Sequence, residues 1–273
     1  MEAKKIMEQN TEAQKVVDIN DQRSNKTGLL GFVENVFRKF KDLGFFLFLL
    51  PIIMVSVFIF GLSLTPLCFY LLKSHQWGAG YSLPIQALMY GLSLGFGILS
   101  FIVCLIFIVP IFNFPLLFMV KPYRGPWFSI ESMPWYYHNA LTYLVRYTIL
   151  DFITPSPLNI LFFKMMGMKI GKGVMINTSN ISDPALIELG DHVTIGGSAY
   201  MMAHYGMKGF LIIDQLKIKS GAMVGLGAKI LGGVTIGEKA TVLPNSSVLP
   251  KTIIKPKEKF GLMSQVWQPE KEQ

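Results

Sequence analysis

The sequence predicts a parallel β-helix carried on two transmembrane helices, and three observations predict it. An aliphatic residue recurs every six positions, at Ile218, Val224, Ile230, Ile236, Val242 and Val248. A small or β-branched residue follows four positions later in each complete unit, at Ala222, Ala228, Val234, Ala240 and Ser246. Two stretches, 43–72 and 83–120, carry no charged residue, whereas about 20 apolar residues are enough to cross a bilayer. Finally, the 273 residues are 51% hydrophobic and only 15% charged, with a mean hydropathy of +0.44. A soluble domain carries about 25% charge and a disordered chain far less apolar mass, which leaves an integral membrane protein.

The N-terminal region, 1–42, reads as a polar tail and a juxtamembrane amphipathic helix. Leu29, Phe32, Val33, Val36, Phe37 and Phe40 share one face, and Glu34, Arg38, Lys39 and Lys41 lie opposite, as in a helix in the headgroup layer. Region 43–120 then holds the two spans, with Pro51, Pro66, Pro110 and Pro115 kinking or ending them. Gly91 and Gly95 form a GxxxG pair suited to close helix packing. Neither span holds an ionisable residue, which argues against a channel or a proton-coupled pump and for an anchor. Lys and Arg gather before the first span (Arg23, Lys26, Arg38, Lys39, Lys41) and after the second (Lys121, Arg124, Arg146, Lys164). The positive-inside rule therefore expects a multi-pass protein of the cell inner membrane with both termini cytoplasmic. The net charge of +8 fits a membrane surface. No Lys/Arg stripe interleaved with aromatics is present, so nucleic acid is not an expected partner.

Region 121–167 reads as an interfacial helical linker, with Trp127, Trp135, Tyr136, Tyr137, Tyr143 and Tyr147 as belt residues. Ser132 and Pro134 open a helix running to about Asp151, and Ser156 and Pro157 open another closed by Gly167. His138 falls in the first of these, where it is expected as an interfacial ring with one hydrogen bond. Cys68 and Cys104 both lie in apolar runs and build neither a disulfide framework nor a zinc cluster.

The repeat itself occupies 168–262, followed by a polar tail at 263–273. Each hexad supplies one short strand and one corner, and three close a triangular coil around an aliphatic column. Gly221, Gly227 and Gly233 take corners where positive φ favours a residue lacking Cβ. Ile170, Ile176, Ile181, Ile187, Val193 and Ala199 carry the same pattern with one shift of frame, so about four coils fit between Met168 and Ile254. The segment 204–217 breaks the phase and is expected to bulge out as a loop.

These hexads, the excursion after His204 and the stretch MGMKIGKGVMINTSNISDPALIELGDHVTIGGSAYMMAH resemble the left-handed β-helix hexapeptide-repeat acyltransferases. Within them the stretch is similar to membrane-associated members akin to the terminal domains of some nonribosomal peptide synthetases. The resemblance covers about residues 155–262. It implies a left-handed parallel β-helix, homotrimers, and acyl-CoA or acetyl-CoA as a donor substrate lying along the groove between coils, with no permanently bound cofactor. It also implies a histidine near the protruding loop that activates the acceptor, and the matching residue is His204.

Acyl transfer from a thioester needs a base for the acceptor's proton and donors for the developing oxyanion. Imidazole titrates close to cytosolic pH, which suits His204 to the first task. Asp214 in the loop either orients His204 or keeps the loop soluble. Asp191 and His192 sit at a corner, where His192 is either a turn residue or a second group lining the groove. Backbone amides near Gly221 or Gly227 could face a thioester, although glycine is already required there for turning. Lys219 and Lys239, with Lys217 and Lys229, either meet CoA phosphates or belong to a solvated face. The apolar run Phe210 to Ile213 either covers a long acyl chain or packs against a neighbour. A γ-class carbonic anhydrase needs three histidine ligands, and only His192 and His204 lie on the coil, so no metal site is expected. The non-enzymatic alternative is a membrane-anchored scaffold in an envelope biosynthesis or export complex. The expected function is transfer of an acyl group from acyl-CoA to a hydroxyl or amine of a lipid-linked or membrane-associated acceptor.

Overall fold

The computed structural model describes residues 26–261 apart from Phe128, and the two expected polar tails fall almost wholly outside the described residues. Helices fill its first half and short strands its second, so a membrane-anchored all-β class, as the hexads alone would suggest, describes only the part after Met168.

Helix α1 (Gly28–Lys39) has Leu29, Leu30 and Phe32 exposed. Two residues of its charged side are turned inward instead: Glu34 and Arg38 are buried and joined by a 2.5 Å ion pair, while Lys39 stays exposed. Helices α2 (Lys41–Gly78) and α3 (Leu83–Asn113) form an antiparallel hairpin. Their apolar segments, Phe46–Gly78 and Leu83–Leu117, are long and apolar enough to cross a membrane. Large side chains such as Met54, Val57, Leu88 and Phe96 point outward from this hairpin, unlike those of a soluble core helix. Pro51 and Pro66 lie inside α2 without ending it. The helix also outruns the expected end near Leu72, because its last turns bond to the partner helix. There Ser74 Oγ lies 2.5 Å from Ser93 Oγ and 3.1 Å from the Met89 carbonyl oxygen, and His75 Nδ1 lies 2.9 Å from the Tyr90 hydroxyl. Gly91 and Gly95 face open space; the glycine that lets the helices meet is Gly97, whose Cβ would fall 2.1 Å from Leu67 Cδ1.

After a 3-10 turn (Phe114–Phe118) and strand β1 (Tyr123–Pro126), helix α4 (Met133–Val145) continues through a π-helical turn, Arg146–Leu150. Helix α5 (Pro157–Met165) starts where Ser156 Oγ accepts from the Leu158 amide at 3.1 Å. It ends before Gly167, whose φ of +95° no other residue adopts easily.

The strands then wind into a parallel β-helix. The first coil is β2 (Lys169–Ile170), β3 (Met175–Ile176) and β4 (Ile181–Ser182); the second is β5 (Ile187–Leu189), β6 (Thr194–Ile195) and β7 (Tyr200–Met202). After the excursion come β10 (Leu216–Ile218), β11 (Met223–Val224) and β12 (Lys229–Ile230), then β13 (Thr235–Ile236), β14 (Thr241–Val242) and β15 (Ser247–Val248). Two strands of a fifth coil, β16 (Ile253–Ile254) and β17 (Lys259–Phe260), follow. Equivalent strands stack into three parallel sheets, β2-β5-β10-β13-β16, β3-β6-β11-β14-β17 and β4-β7-β12-β15. Ile218 pairs with Ile236 and Val224 with Val242, three hexads apart, while Lys169 pairs with Glu188, one residue further. The aliphatic column is buried throughout, from Ile176 through Ile195 and Val224 to Val242.

The expected loop at 204–217 is an ordered hairpin, β8 (His204–Met207) and β9 (Phe210–Ile213), to which β1 adds an antiparallel edge strand. Leu211, Ile212 and Ile213 are buried within the chain, whereas Phe210 is half-buried.

Candidate active site

The triangular coil has three corners, and the structure distributes the residues singled out by sequence among all of them. Asp191, His192, Lys219, Gly221 and Lys239 fall on the corner between the sheets of β2 and β3, where Asp191 Oδ1 accepts from the Lys172 amide at 2.7 Å. His192 has φ +55° and its ring lies over Gly173, as a turn residue would. Lys219 Nζ approaches Glu188 Oε1 at 3.9 Å on the exposed face. Gly227 lies on the next corner. The amides of Gly221 and Gly227 donate to the Asp191 and Gly197 carbonyls at 2.8 and 2.9 Å, so neither is free to hold an oxyanion.

His204 and Asp214 lie on the third corner, between β7 and β10, where the hairpin leaves the coil. Asp214 does not reach His204 as its partner; its Oδ1 accepts from the Gln215 amide at 2.8 Å. Asp183 takes that place, with Oδ2 2.6 Å from His204 Nδ1. The Asp183 side chain is fully buried, its backbone has the left-handed φ of 62°, and it belongs to the corner one coil below. Asp is one of the few residues that tolerates this conformation, and Pro184 follows it directly.

Three donors converge on the Asp183 carboxyl. Oδ2 accepts from the Ala203 amide at 2.9 Å as well as from His204, and Oδ1 accepts from Trp135 Nε1 at 2.6 Å. With both oxygens accepting, the proton of the His204–Asp183 pair belongs on His204 Nδ1, and in the neutral ring the lone pair then lies on Nε2. No hydrogen bond engages Nε2 among the described residues. The His204 side chain keeps 19% of its surface accessible, which leaves room for a reacting group. The arrangement can take a proton from a hydroxyl or amine while its imidazole is held in one tautomer and one orientation.

Helix α4 supplies the wall of this site and lies along the first coil in register. Trp135 meets Asp183, Tyr143 Oη lies 2.8 Å from Ser182 Oγ, and Arg146 donates to Asn180 Oδ1 at 2.5 Å. Trp135 also sets its ring edgewise against His204, with centroids 4.8 Å apart at 66°. His138 is not the interfacial ring expected from sequence. It is fully buried, its Nδ1 lies 2.8 Å from Asn113 Oδ1, and its Nε2 faces the Ala185 amide at 3.4 Å. Burial pushes its pKa down to about 4, with the Asp183 charge opposing the shift, so the ring is neutral at pH 7.

Asp183 and Trp135 are the site residues that sequence reading missed. Asp183 stands out only as an acid before proline at a corner, and Trp135 reads as one more aromatic of a membrane belt.

No protein-family model and no curated relative matches the chain. Solved structures give remote likenesses. A serine acetyltransferase of Neisseria gonorrhoeae is 20% identical at a TM-score of 0.30, over 49% of this chain and 55% of that one. A maltose O-acetyltransferase of Clostridium difficile 630 is 18% identical at 0.35, over 46% and 79%. A hexapeptide-repeat acetyltransferase of Vibrio cholerae complexed with acetyl coenzyme A is 17% identical at 0.33, over 42% and 79%. This chain thus spans little more than half of the first of them, and at such scores the likeness decides nothing about its activity.

Proposed function

We propose that this protein is a membrane-anchored acyltransferase that moves an acetyl or longer acyl group from acyl-CoA to a hydroxyl or amine of a membrane-associated acceptor. The observation that carries the reading is the 2.6 Å contact between Asp183 Oδ2 and His204 Nδ1, which leaves Nε2 as the base. In this reading Nε2 takes the acceptor's proton as its oxygen or nitrogen bonds to the thioester carbonyl carbon. The tetrahedral intermediate then expels the CoA sulfur, and Nε2 returns the proton to it. Asp183 offsets the positive charge that forms on the imidazole between the two steps.

A membrane-bound acceptor is favoured by where the site lies. Tyr136, next to Trp135, packs edge-on against Phe48 near the start of α2, with ring centroids 5.7 Å apart. Tyr137 stacks on the same Phe48 ring at 4.9 Å. Three aromatic contacts in series, His204–Trp135, Trp135–Tyr136 and Tyr136–Phe48, thus link the base to the root of the apolar hairpin, which favours an acceptor headgroup whose tail stays in the lipid. The coil winds left-handed in this reading, and three copies associate because a coil this short leaves open ends and uncovered flanks.

The test is release of CoA thiol by the protein in lipid nanodiscs, supplied with acyl-CoAs of several chain lengths and a membrane lipid extract. His204→Asn keeps a hydrogen-bonding side chain of similar size but cannot take the proton. It should lower kcat by about a hundred- to ten-thousand-fold with little change in KM for acyl-CoA. His192→Asn should change neither. Equal turnover by wild type and His204→Asn would rule out histidine base catalysis.

A further inference from the structure

The helical half of the chain reaches the Asp183 carboxyl itself through one polar atom among the described residues, the indole nitrogen of Trp135. Trp135 is 5% exposed and belongs to α4, yet its indole nitrogen donates across 2.6 Å to Asp183, a residue of the first coil. The opposite oxygen of the same carboxyl holds His204 Nδ1 at 2.6 Å. One turn further along α4, His138 faces the Ala185 amide, so helix contacts fall on both sides of Pro184. His138 also bonds Asn113, the last residue of α3.

Without the indole donor, Oδ1 of Asp183 would be a buried acceptor with no partner. Such a group costs about 1–3 kcal/mol where it stands and relieves that cost by turning toward water or another donor. Turning the carboxyl to relieve Oδ1 moves Oδ2 as well, because the two oxygens share one carbon. The His204 tautomer and ring angle then lose the acceptor that fixes them.

We infer that Trp135 is a positioning residue for the His204–Asp183 pair, supplied by the helical half of the chain, so that the β-helix alone does not hold a competent base. This inference rests on the acyltransferase reading for its catalytic consequence, but the positioning itself can be read without any reaction.

The experiment places 3-benzothienylalanine at position 135 of the full chain in detergent micelles; this analogue keeps the ring shape and replaces the indole N–H by sulfur. Trp135→Phe is the second, genetically simple variant. In histidine-labelled protein, the downfield Nδ1 proton that His204→Asn removes should lose intensity to solvent exchange in both variants. Its persistence at wild-type position and intensity would overturn the inference, whether or not the protein transfers acyl groups. In the CoA-release assay both variants should lower kcat about tenfold or more and leave KM for acyl-CoA within twofold. Because Trp135 acts through Asp183, adding Trp135→Phe to Asp183→Asn should cost nothing further. An independent loss in that background would also overturn the inference. A wild-type protein that releases no CoA, yet shows the proton and loses it in the analogue, would sink the acyltransferase reading and leave the positioning role standing.

Discussion

The fully buried carboxyl of Asp183 has histidines on two sides, and it treats them differently. His204 bonds to it and keeps part of its ring accessible, whereas His138 meets its charge only at a distance and is sealed between α4, Asn113 and the Ala185 amide. For His138 desolvation wins over the attraction of Asp183, and its pKa falls from 6.5 to about 4. The folded protein therefore binds this proton less readily than the unfolded chain does. Stability contributed by neutral His138 is complete above pH 6.5 and declines as pH drops from 6.5 toward about 4. The full loss is on the order of 3 kcal/mol, with a slope of up to about 1.4 kcal/mol per pH unit. Thermal melts in micelles at pH 7.5, 6.5, 5.5 and 5.0 should show the decline beginning near 6.5. His138→Gln, which cannot take up the proton, should melt lower at pH 7.5 and lose that part of the slope. An unchanged slope in the variant would mean that another group carries the pH dependence.

At the level of the element, the coil tolerates no side chain where its backbones stack most closely. A Cβ on Gly225 would lie 2.5 Å from the Pro244 nitrogen and 2.8 Å from the Val242 oxygen, both backbone atoms of the next coil. Gly225→Ala must push two coils apart and should destabilise the protein by about 2–4 kcal/mol, as other overpacked or strained sites do. Gly61→Ala in α2, where nothing lies within 4 Å, should be neutral or slightly stabilising. Chemical denaturation of the two variants side by side checks the contrast, and equal effects would contradict the coil spacing. This stacking is also why the β-helix was so legible: every hexad repeats one demand for an aliphatic residue inside and a small one at the corner. His204 was legible only through the family resemblance, which points to a histidine beside the place where the phase fails and the hairpin leaves the coil. Asp183 was not, because the coil between it and His204 departs from three clean hexads, pairing Ile181 with Met201, and so hides that they share a corner. Trp135 was misread because a buried donor and an interfacial ring look the same in a sequence. The hairpin of β8 and β9 breaks the hexad phase and its third strand, β1, lies some eighty residues earlier in the chain, so neither of its pairings follows from the repeat.

Across the whole molecule, the fold joins its two halves at one end of the helical hairpin. Phe48 near the start of α2 and Asn113 at the end of α3 both contact α4, through Tyr137 and His138, while the connecting turn at 79–82 lies at the far end of both helices. Each helix exceeds 30 residues, and at about 1.5 Å per residue it is some 45 Å or more long, well beyond a hydrocarbon core of about 30 Å. If the hairpin crosses a bilayer, the turn must therefore emerge on the side opposite the β-helix. The bias of Lys and Arg toward the root end, at Lys26, Arg38, Lys39, Lys121 and Arg124, predicts that this end faces the cytoplasm, the side on which the proposed acyl-CoA donor would be met. The prediction is made on a background in which Cys68 and Cys104 are replaced by serine. Ser82→Cys should then react with a membrane-impermeant maleimide added to intact cells, and Lys229→Cys on the coil should react only after the inner membrane is opened. Labelling of Lys229→Cys in intact cells would place the coil on the outer side, away from the proposed donor, and would overturn the acyl-CoA reading along with the topology. Protection of both positions in intact cells, followed by labelling of both once the inner membrane is opened, would instead show that the hairpin lies along the bilayer surface without crossing it. The coil would then keep its access to acyl-CoA, and only the spanning arrangement would fail.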